Sequence, residues 1–138
     1  MRWIALTLAF LSSLSSVSAS LKDCGAGISV FLLHEQGFSP EPPVPGENAT
    51  LWFYYEVPPG VTITDGAAEY SFKLNGIPFT PTVDPLCTQV ECPLAPGLYN
   101  LSSTSPWPTG ISGKIVSQIA WYDLGDSLLL CSELTERF

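Results

Sequence analysis

The chain has 138 residues, of which 46% are hydrophobic and 13% charged. That is enough apolar sequence for one domain with its own core, and it excludes a disordered or multidomain chain. The 5 Lys and Arg against 13 Asp and Glu give a formal net charge of −8 at pH 7, which excludes the basic surface that binds nucleic acid or anionic headgroups.

Residues 1–20 have the pattern of a secretory signal peptide. Arg2 precedes an apolar run over 3–11, and the small residues at 17–19 predict cleavage before Ser20 or Leu21. The mature domain is therefore predicted to span 21–138, with no later run of the ~20 apolar residues that a transmembrane helix needs. We expect the protein to be secreted or delivered to the lumen of a lysosome or vacuole. Two N-glycosylation sequons, beginning at Asn48 and Asn100, agree with export.

Alternating apolar and polar residues predict β-strands along the rest of the chain. In chain order, these strands are predicted at 28–33, 51–57, 68–74, 111–123 and 128–134. Residues that favour turns separate them at 39–46, 58–60, 65–66, 75–76 and 106–108. With 13 Pro, 11 Gly and 16 aromatic residues, this spacing predicts an all-β domain of six to eight strands in a two-sheet sandwich.

Four cysteines in an exported chain predict two disulfides, with three pairings open. A local bridge between Cys87 and Cys92 would pin a short loop. Cys24 and Cys131 would then close a loop of about a hundred residues, worth about 4.7 kcal/mol on the chain-entropy model. A zinc site is the weaker interpretation, because His34 is the single histidine and no C-x-x-C pair occurs.

Catalytic and cofactor chemistry find little support in the sequence. His34 has no Ser or Cys motif beside it, and a nucleophile needs such a base close by. The acidic residues fall mostly in loops or at polar strand positions, and no glycine loop of the phosphate-binding type is present. We predict a protein that is not an enzyme and that holds no metal or cofactor.

Large apolar side chains are frequent at strand positions expected to face inward. They are Phe53, Tyr55, Tyr70, Phe72, Phe79, Trp107, Ile119 and Trp121. Such residues fill a solid core in most domains, but they can also line a cavity between two separated sheets. Composition alone leaves both outcomes open.

The order of motifs along the chain resembles that of the ML (MD-2-related lipid-recognition) family, in particular its Niemann-Pick type C2-like and phosphatidylglycerol/phosphatidylinositol-transfer members. The motifs that carry the resemblance are Asp23-Cys24-Gly25, the Pro-rich segment 38–46, Asn75-Gly76-Ile77-Pro78-Phe79, Cys87 with Cys92-Pro93-Leu94, Gly97 and Tyr99, residues 112–116 and Cys131. The resemblance implies an immunoglobulin-like β-sandwich of two antiparallel sheets with an internal hydrophobic cavity for a lipid tail. It also implies the disulfides Cys24–Cys131 and Cys87–Cys92.

Carried over residue by residue, the resemblance places Phe79 on the cavity wall and the cavity mouth near Pro106 and Trp107. The indole N–H of Trp107 could orient a headgroup there. Combined with the inward strand positions, the predicted lipid-binding residues are Phe53, Tyr55, Tyr70, Phe72, Phe79, Trp107, Ile115, Ile119 and Trp121. The chain departs from the family pattern in two ways. Residues 38–46 lack the cysteines of a third disulfide that sterol-binding members have. The chain is also more acidic than members that dock on anionic membranes.

The sequence thus predicts a secreted or endolysosomal lipid-binding and transfer protein that holds a sterol or phospholipid tail between its sheets. We expect a monomer that contacts membranes only transiently. The alternative is a solid sandwich that binds a protein partner, as an immune co-receptor or adhesion module. A small hydrolase, a third class, would need an acidic pair held in a cleft.

Overall fold

The computed structural model describes residues 18–138, and residues 1–17, with most of the predicted signal peptide, lie outside it. The described chain forms nine β-strands and a short 3-10 helix, Leu86–Thr88. The strands are β1 (Ser18–Asp23), β2 (Leu32–Ser39), β3 (Asn48–Val57), β4 (Gly66–Leu74), β5 (Ile77–Pro78), β6 (Thr82–Pro85), β7 (Gly97–Pro106), β8 (Lys114–Asp123) and β9 (Leu128–Arg137). Within 18–138 no helix is long and apolar enough to cross a bilayer.

Two antiparallel sheets make up the sandwich. The six-stranded sheet has the order β1-β9-β8-β4-β5, with β6 also pairing with β4, and the three-stranded sheet has the order β2-β3-β7. The predicted all-β, two-sheet sandwich is therefore confirmed, but it has nine strands in the described chain and not the six to eight predicted. Side chains alternate between the two faces of each strand, so the register fixes which residues of the two sheets face each other.

The predicted first strand, 28–33, is wrong in position. After Cys24 the chain turns, with the N–H groups of Ile28 and Ser29 both donating to the Gly25 carbonyl at 2.9 and 2.8 Å, and β2 begins only at Leu32. The apolar run instead crosses from one sheet to the other and carries the buried Phe31 into the core. Hydrophobic residues on a crossing segment give the same local pattern as a strand.

Other boundaries also differ from the predicted ones. The predicted strand 111–123 begins at Lys114, and the predicted strand 128–134 continues to Arg137. The strands β1, β5, β6 and β7 were not predicted. Seven of the ten residues of β7 are Gly, Asn, Ser, Thr or Pro, a composition typical of loops.

A solid core fills one half of the sandwich. The aromatic ring of Tyr55 lies at its centre, 5.7 Å from the ring of Phe31, 5.5 Å from that of Tyr99 and 5.4 Å from that of Trp121. Side chains with almost no exposed surface surround it, namely Val57, Leu86, Leu94, Leu129 and Leu130. This half holds the two sheets together and leaves the other half less tightly filled.

Both disulfides have the pairing that the resemblance implies. Cys24 bonds to Cys131, which joins the end of β1 to β9, and Cys87 bonds to Cys92 in the loop after the 3-10 helix. Close by, the Ser132 hydroxyl of β9 donates to Gln36 Oε1 of β2 at 2.5 Å, across the two sheets. We call the side where β2 faces β9 the closed edge, because the chain crossing and this hydrogen bond both join the sheets there.

Candidate functional site

A cavity of about 270 Å³ lies between the sheets beside the solid core. Side chains alternate between the two faces of each strand. Those that point into the cavity come from odd-numbered residues of β3, β7 and β8 and from even-numbered residues of β4. Its lining residues are Leu51, Phe53, Tyr70, Thr88, Gln89, Leu101, Ser102, Ser103, Ile119 and Trp121. We call it the central cavity, and most of its walls are apolar.

A second cavity, of about 220 Å³, lies farther from the core. We call it the end cavity, and its lining residues are Phe38, Ala49, Leu51, Ser105, Pro106, Trp107, Pro108, Leu134 and Glu136. Leu51 lines both cavities. The two spaces therefore follow one another along the inner face of β3, with Leu51 at their junction.

An open groove of about 690 Å³ lies on the side opposite the closed edge. It runs along the disulfide loop 87–92 and β7, and it shares Thr88, Gln89 and Leu101 with the central cavity. The Tyr70 hydroxyl of β4 donates to Gln89 Oε1 at 2.8 Å. This hydrogen bond holds the loop against the larger sheet where groove and cavity meet, and we call this side the loop edge.

The structure brings five of the nine predicted lipid-binding residues to the walls of the two cavities. Phe53, Tyr70, Ile119 and Trp121 line the central cavity, and Trp107 lines the end cavity. Tyr55 belongs to the solid core and also lines the open groove at the loop edge.

The remaining three predicted residues line neither cavity. Phe72 and Phe79 are 43% and 45% exposed, and their rings stack 4.4 Å apart across the hairpin that joins β4 to β5. Ile115 is half-buried, in register with Leu74 and Glu136. Trp107, near which the mouth was predicted, is buried and closes its end of the sandwich by packing against Phe38 and Phe138.

Glu136 is a lining residue that the sequence reasoning missed. Its carboxylate is buried at 7% exposure, and Oε2 has no hydrogen-bond partner among the described residues. Burial raises the pKa of this carboxyl to about 7. The signal was present in the sequence, since Glu136 continues the inward series of Leu130, Ser132 and Leu134 beyond the predicted strand end.

Two tyrosines also have shifted pKa values. Burial, with the nearby Tyr99, raises the pKa of the Tyr55 hydroxyl to about 12, and burial, with Asp84, raises the pKa of Tyr70. His34 Nε2 lies 2.8 Å from Glu56 Oε1 and is 40% exposed. Over residues 18–138 no group of three or more His, Cys, Asp and Glu is placed to hold a metal ion.

Comparison with known proteins agrees with this architecture. An ML-domain family model matches residues 18–138. A phosphatidylglycerol/phosphatidylinositol transfer protein of Cryptococcus neoformans var. neoformans serotype D is 29% identical over 130 residues, covering 88% of this chain and 71% of the relative. A protein of the same description from Mycosarcoma maydis is 33% identical over 124 residues, covering 83% of this chain and 63% of the relative.

Two solved structures share the fold. A Niemann-Pick type C2 protein from Japanese carpenter ant superposes with a TM-score of 0.62 at 14% identity, covering 84% of this chain and 96% of the other. Chicken MD-1, solved in complex with lipid IVa, superposes with a TM-score of 0.55 at 10% identity, covering 88% and 89%. The fold is an immunoglobulin-like β-sandwich with cavities between its sheets. The chain belongs to the ML family.

Proposed function

We propose that this protein binds one lipid molecule, holds its tail between the two sheets and transfers it between membranes. The observation that carries the proposal is the pair of cavities that follow one another along β3 and are lined mainly by apolar side chains. The two fungal relatives described as phosphatidylglycerol/phosphatidylinositol transfer proteins support a phospholipid. A sterol, expected from the resemblance to the ML family, is the second ligand class.

Burial of hydrocarbon supplies the binding energy in this proposal. Each buried methylene contributes about 0.8 kcal/mol, so a tail can be held without a charged anchor. The cavities of about 270 and 220 Å³ are each smaller than the ~300–1,000 Å³ of most small-molecule sites. A bound lipid therefore extends through both, and the side chains at the junction, Leu51 first, move to admit it.

The protein works as a carrier outside the cytoplasm and carries out no covalent reaction. Its two disulfides fit an oxidising compartment, and the predicted signal peptide fits export. Both sequon asparagines, Asn48 and Asn100, are exposed on strands of the smaller sheet, which suits glycosylation. The carrier acts as a monomer that meets membranes transiently, and its acidity argues against binding nucleic acid.

Native mass spectrometry of the secreted, deglycosylated protein tests the proposal, together with organic extraction of what copurifies. We expect an added mass of lipid size that is lost on denaturation, and transfer of a labelled phospholipid or sterol between vesicles. A bare mass, combined with no uptake from vesicles of either composition, would overturn it. The solid, partner-binding sandwich would then be the better interpretation.

A further inference from the structure

Two polar atoms without a partner lie on the wall of the end cavity. Glu136 Oε2 and Trp107 Nε1 are both buried, and neither has a hydrogen-bond partner in the part of the chain that the structure describes. Both residues are only 7% exposed and both line the same cavity. Buried polar groups are nearly always paired in native proteins, so two such atoms at one cavity point to a ligand group that pairs with them.

The backbone and the packing around both residues hold them in place. The Trp107 N–H donates to the Glu47 carbonyl at 2.8 Å, and the Trp107 carbonyl accepts from the Gly46 N–H at 3.0 Å. The Trp107 ring packs at centroid distances of 6.4 Å from Phe38 and 6.3 Å from Phe138. Glu136 lies on the inner face of β9, in register with Ile115 of β8.

The chemistry of the two atoms defines the ligand group. A carboxylate oxygen accepts a hydrogen bond, and an indole N–H donates one. The other residues lining the cavity are uncharged, and the neighbouring cross-strand pair Lys114 and Arg137 is exposed on the opposite face. A phosphate would be repelled by the ionised form of Glu136, and an ammonium group would leave the indole N–H unpaired. A hydroxyl has the chemistry to pair with both, since it can donate its proton to Glu136 and accept from the Trp107 N–H through its oxygen.

We propose that Glu136 and Trp107 form a hydroxyl-binding anchor at the far end of the tail site. The inference rests on the proposed lipid-binding function and specifies it further: the buried end of the ligand carries an uncharged hydroxyl. That hydroxyl comes either from a sterol or from the polyol headgroup of a phospholipid.

Two pairs of matched lipids test the anchor and separate the two sources. Cholesterol is compared with its methyl ether, and phosphatidylglycerol with phosphatidylpropanol, which lacks the two headgroup hydroxyls. Binding of each lipid is measured to the secreted wild-type protein and to Glu136→Met, which keeps the side-chain volume and removes the acceptor. Trp107→Phe removes the N–H and keeps an aromatic ring. The matched controls are Glu133→Met, on the outer face of β9, and Trp52→Phe, on the outer face of β3.

The wild type is expected to prefer the hydroxyl-bearing lipid of one pair by about tenfold or more. Both anchor variants should lose that preference, and they should bind the lipid without the hydroxyl as tightly as the wild type does. The two control variants should keep the preference. Glu136→Met should also unfold at higher denaturant concentration, because an unpaired buried carboxyl is removed.

The contrary results separate the two proposals. Wild-type protein that binds both members of each pair equally would overturn the anchor alone, and water would then be the partner of the two atoms. If Glu136→Met fails to fold, Trp107→Phe tests the anchor, through its affinity for the hydroxyl-bearing lipid relative to the lipid without the hydroxyl. Wild-type protein that binds none of the four lipids would instead overturn the proposed function.

Discussion

The Glu136 carboxyl makes the free energy of unfolding depend on pH. Its pKa of about 7 in the folded protein lies above the ordinary value of 4.5 because the group is buried. The folded state therefore holds this proton more tightly than the unfolded state, and the free energy of unfolding falls as the pH rises through that interval. No charged side chain lines the end cavity beside it, so nothing there offsets the cost of the ionised form.

Raising the pH from 5 to 8 should lower the unfolding free energy of the wild type by up to about 3 kcal/mol more than that of Glu136→Gln. The reason is that glutamine does not titrate, while all other acidic groups are shared by the two proteins. Chemical denaturation at both pH values measures the difference. Parallel pH profiles would show that Glu136 is ionised as readily in the folded as in the unfolded chain.

Leu51 lines both the central and the end cavity and lies at their junction. We expect Leu51→Trp to fill the junction and to weaken lipid binding about tenfold or more, since the lipid could no longer extend through both spaces. Tyr54→Trp is the matched control, because Tyr54 lies on the outer face of the same strand. Binding titrations with a fluorescent lipid measure both variants, and equal affinities would place the tail elsewhere.

At the level of strands, alternation identified the side on which a residue lies but not what covers it. Phe72 lies two residues from Tyr70 on the same face of β4, yet Phe72 is exposed and Tyr70 lines a cavity. The smaller sheet has three strands against six, so part of the larger sheet has no partner sheet above it. A single sequence does not reveal that difference in width.

The same reasoning explains which elements could be predicted from the sequence. The strands β3, β4, β8 and β9 have strong apolar alternation, and each was predicted. The strand β7 is polar at most positions, and it forms because β3 pairs with it over ten residues. Glu136 was missed for a related reason, since the predicted last strand stopped at its last leucine, Leu134.

The β4–β5 hairpin is anchored to β8 through Asn75 and Gly113. Asn75 Oδ1 accepts from the Lys114 N–H at 2.9 Å, and the Asn75 N–H donates to the Lys114 carbonyl at 2.8 Å. Gly113 has a φ of +111°, and a Cβ there would lie 2.2 Å from Asn75 Oδ1. A side chain at position 113 would therefore displace the Asn75 side chain from its hydrogen bond with Lys114.

We expect Gly113→Ala to lower the unfolding free energy by about 2–3 kcal/mol, from backbone strain and displacement of Asn75. Gly27→Ala is the control, because Gly27 also has a positive φ, of +78°, but open space around its Cβ position. Its cost should be about 1 kcal/mol. Urea unfolding of both variants measures the difference, and equal losses would mean that Asn75 moves aside freely.

At the scale of the whole molecule, the two long edges of the sandwich differ. The closed edge is joined by the chain crossing near Cys24 and by the Gln36–Ser132 hydrogen bond. The loop edge is held at the central cavity by the hydrogen bond from Tyr70, which is partly buried, to Gln89, which is exposed. Separation of the sheets should therefore begin at the loop edge.

Tyr70→Phe should accelerate lipid transfer between vesicles about fivefold, since loss of one hydrogen bond is worth about 1 kcal/mol. Tyr122→Phe, on the outer face of β8, should leave the transfer rate unchanged. Stopped-flow transfer of a fluorescent lipid measures both rates. Equal rates for Tyr70→Phe and the wild type would indicate that lipid enters by another route.

The asymmetry of the two edges has a consequence for lipids of different chain length. Sheets that are fixed along one edge separate by rotating about it, so a tail enters sideways along its whole length instead of being threaded through one end. The barrier to loading is then set by the loop and by the rotation of the sheets, and it rises little with each added methylene. Longer tails should accordingly be held more tightly without being taken up more slowly.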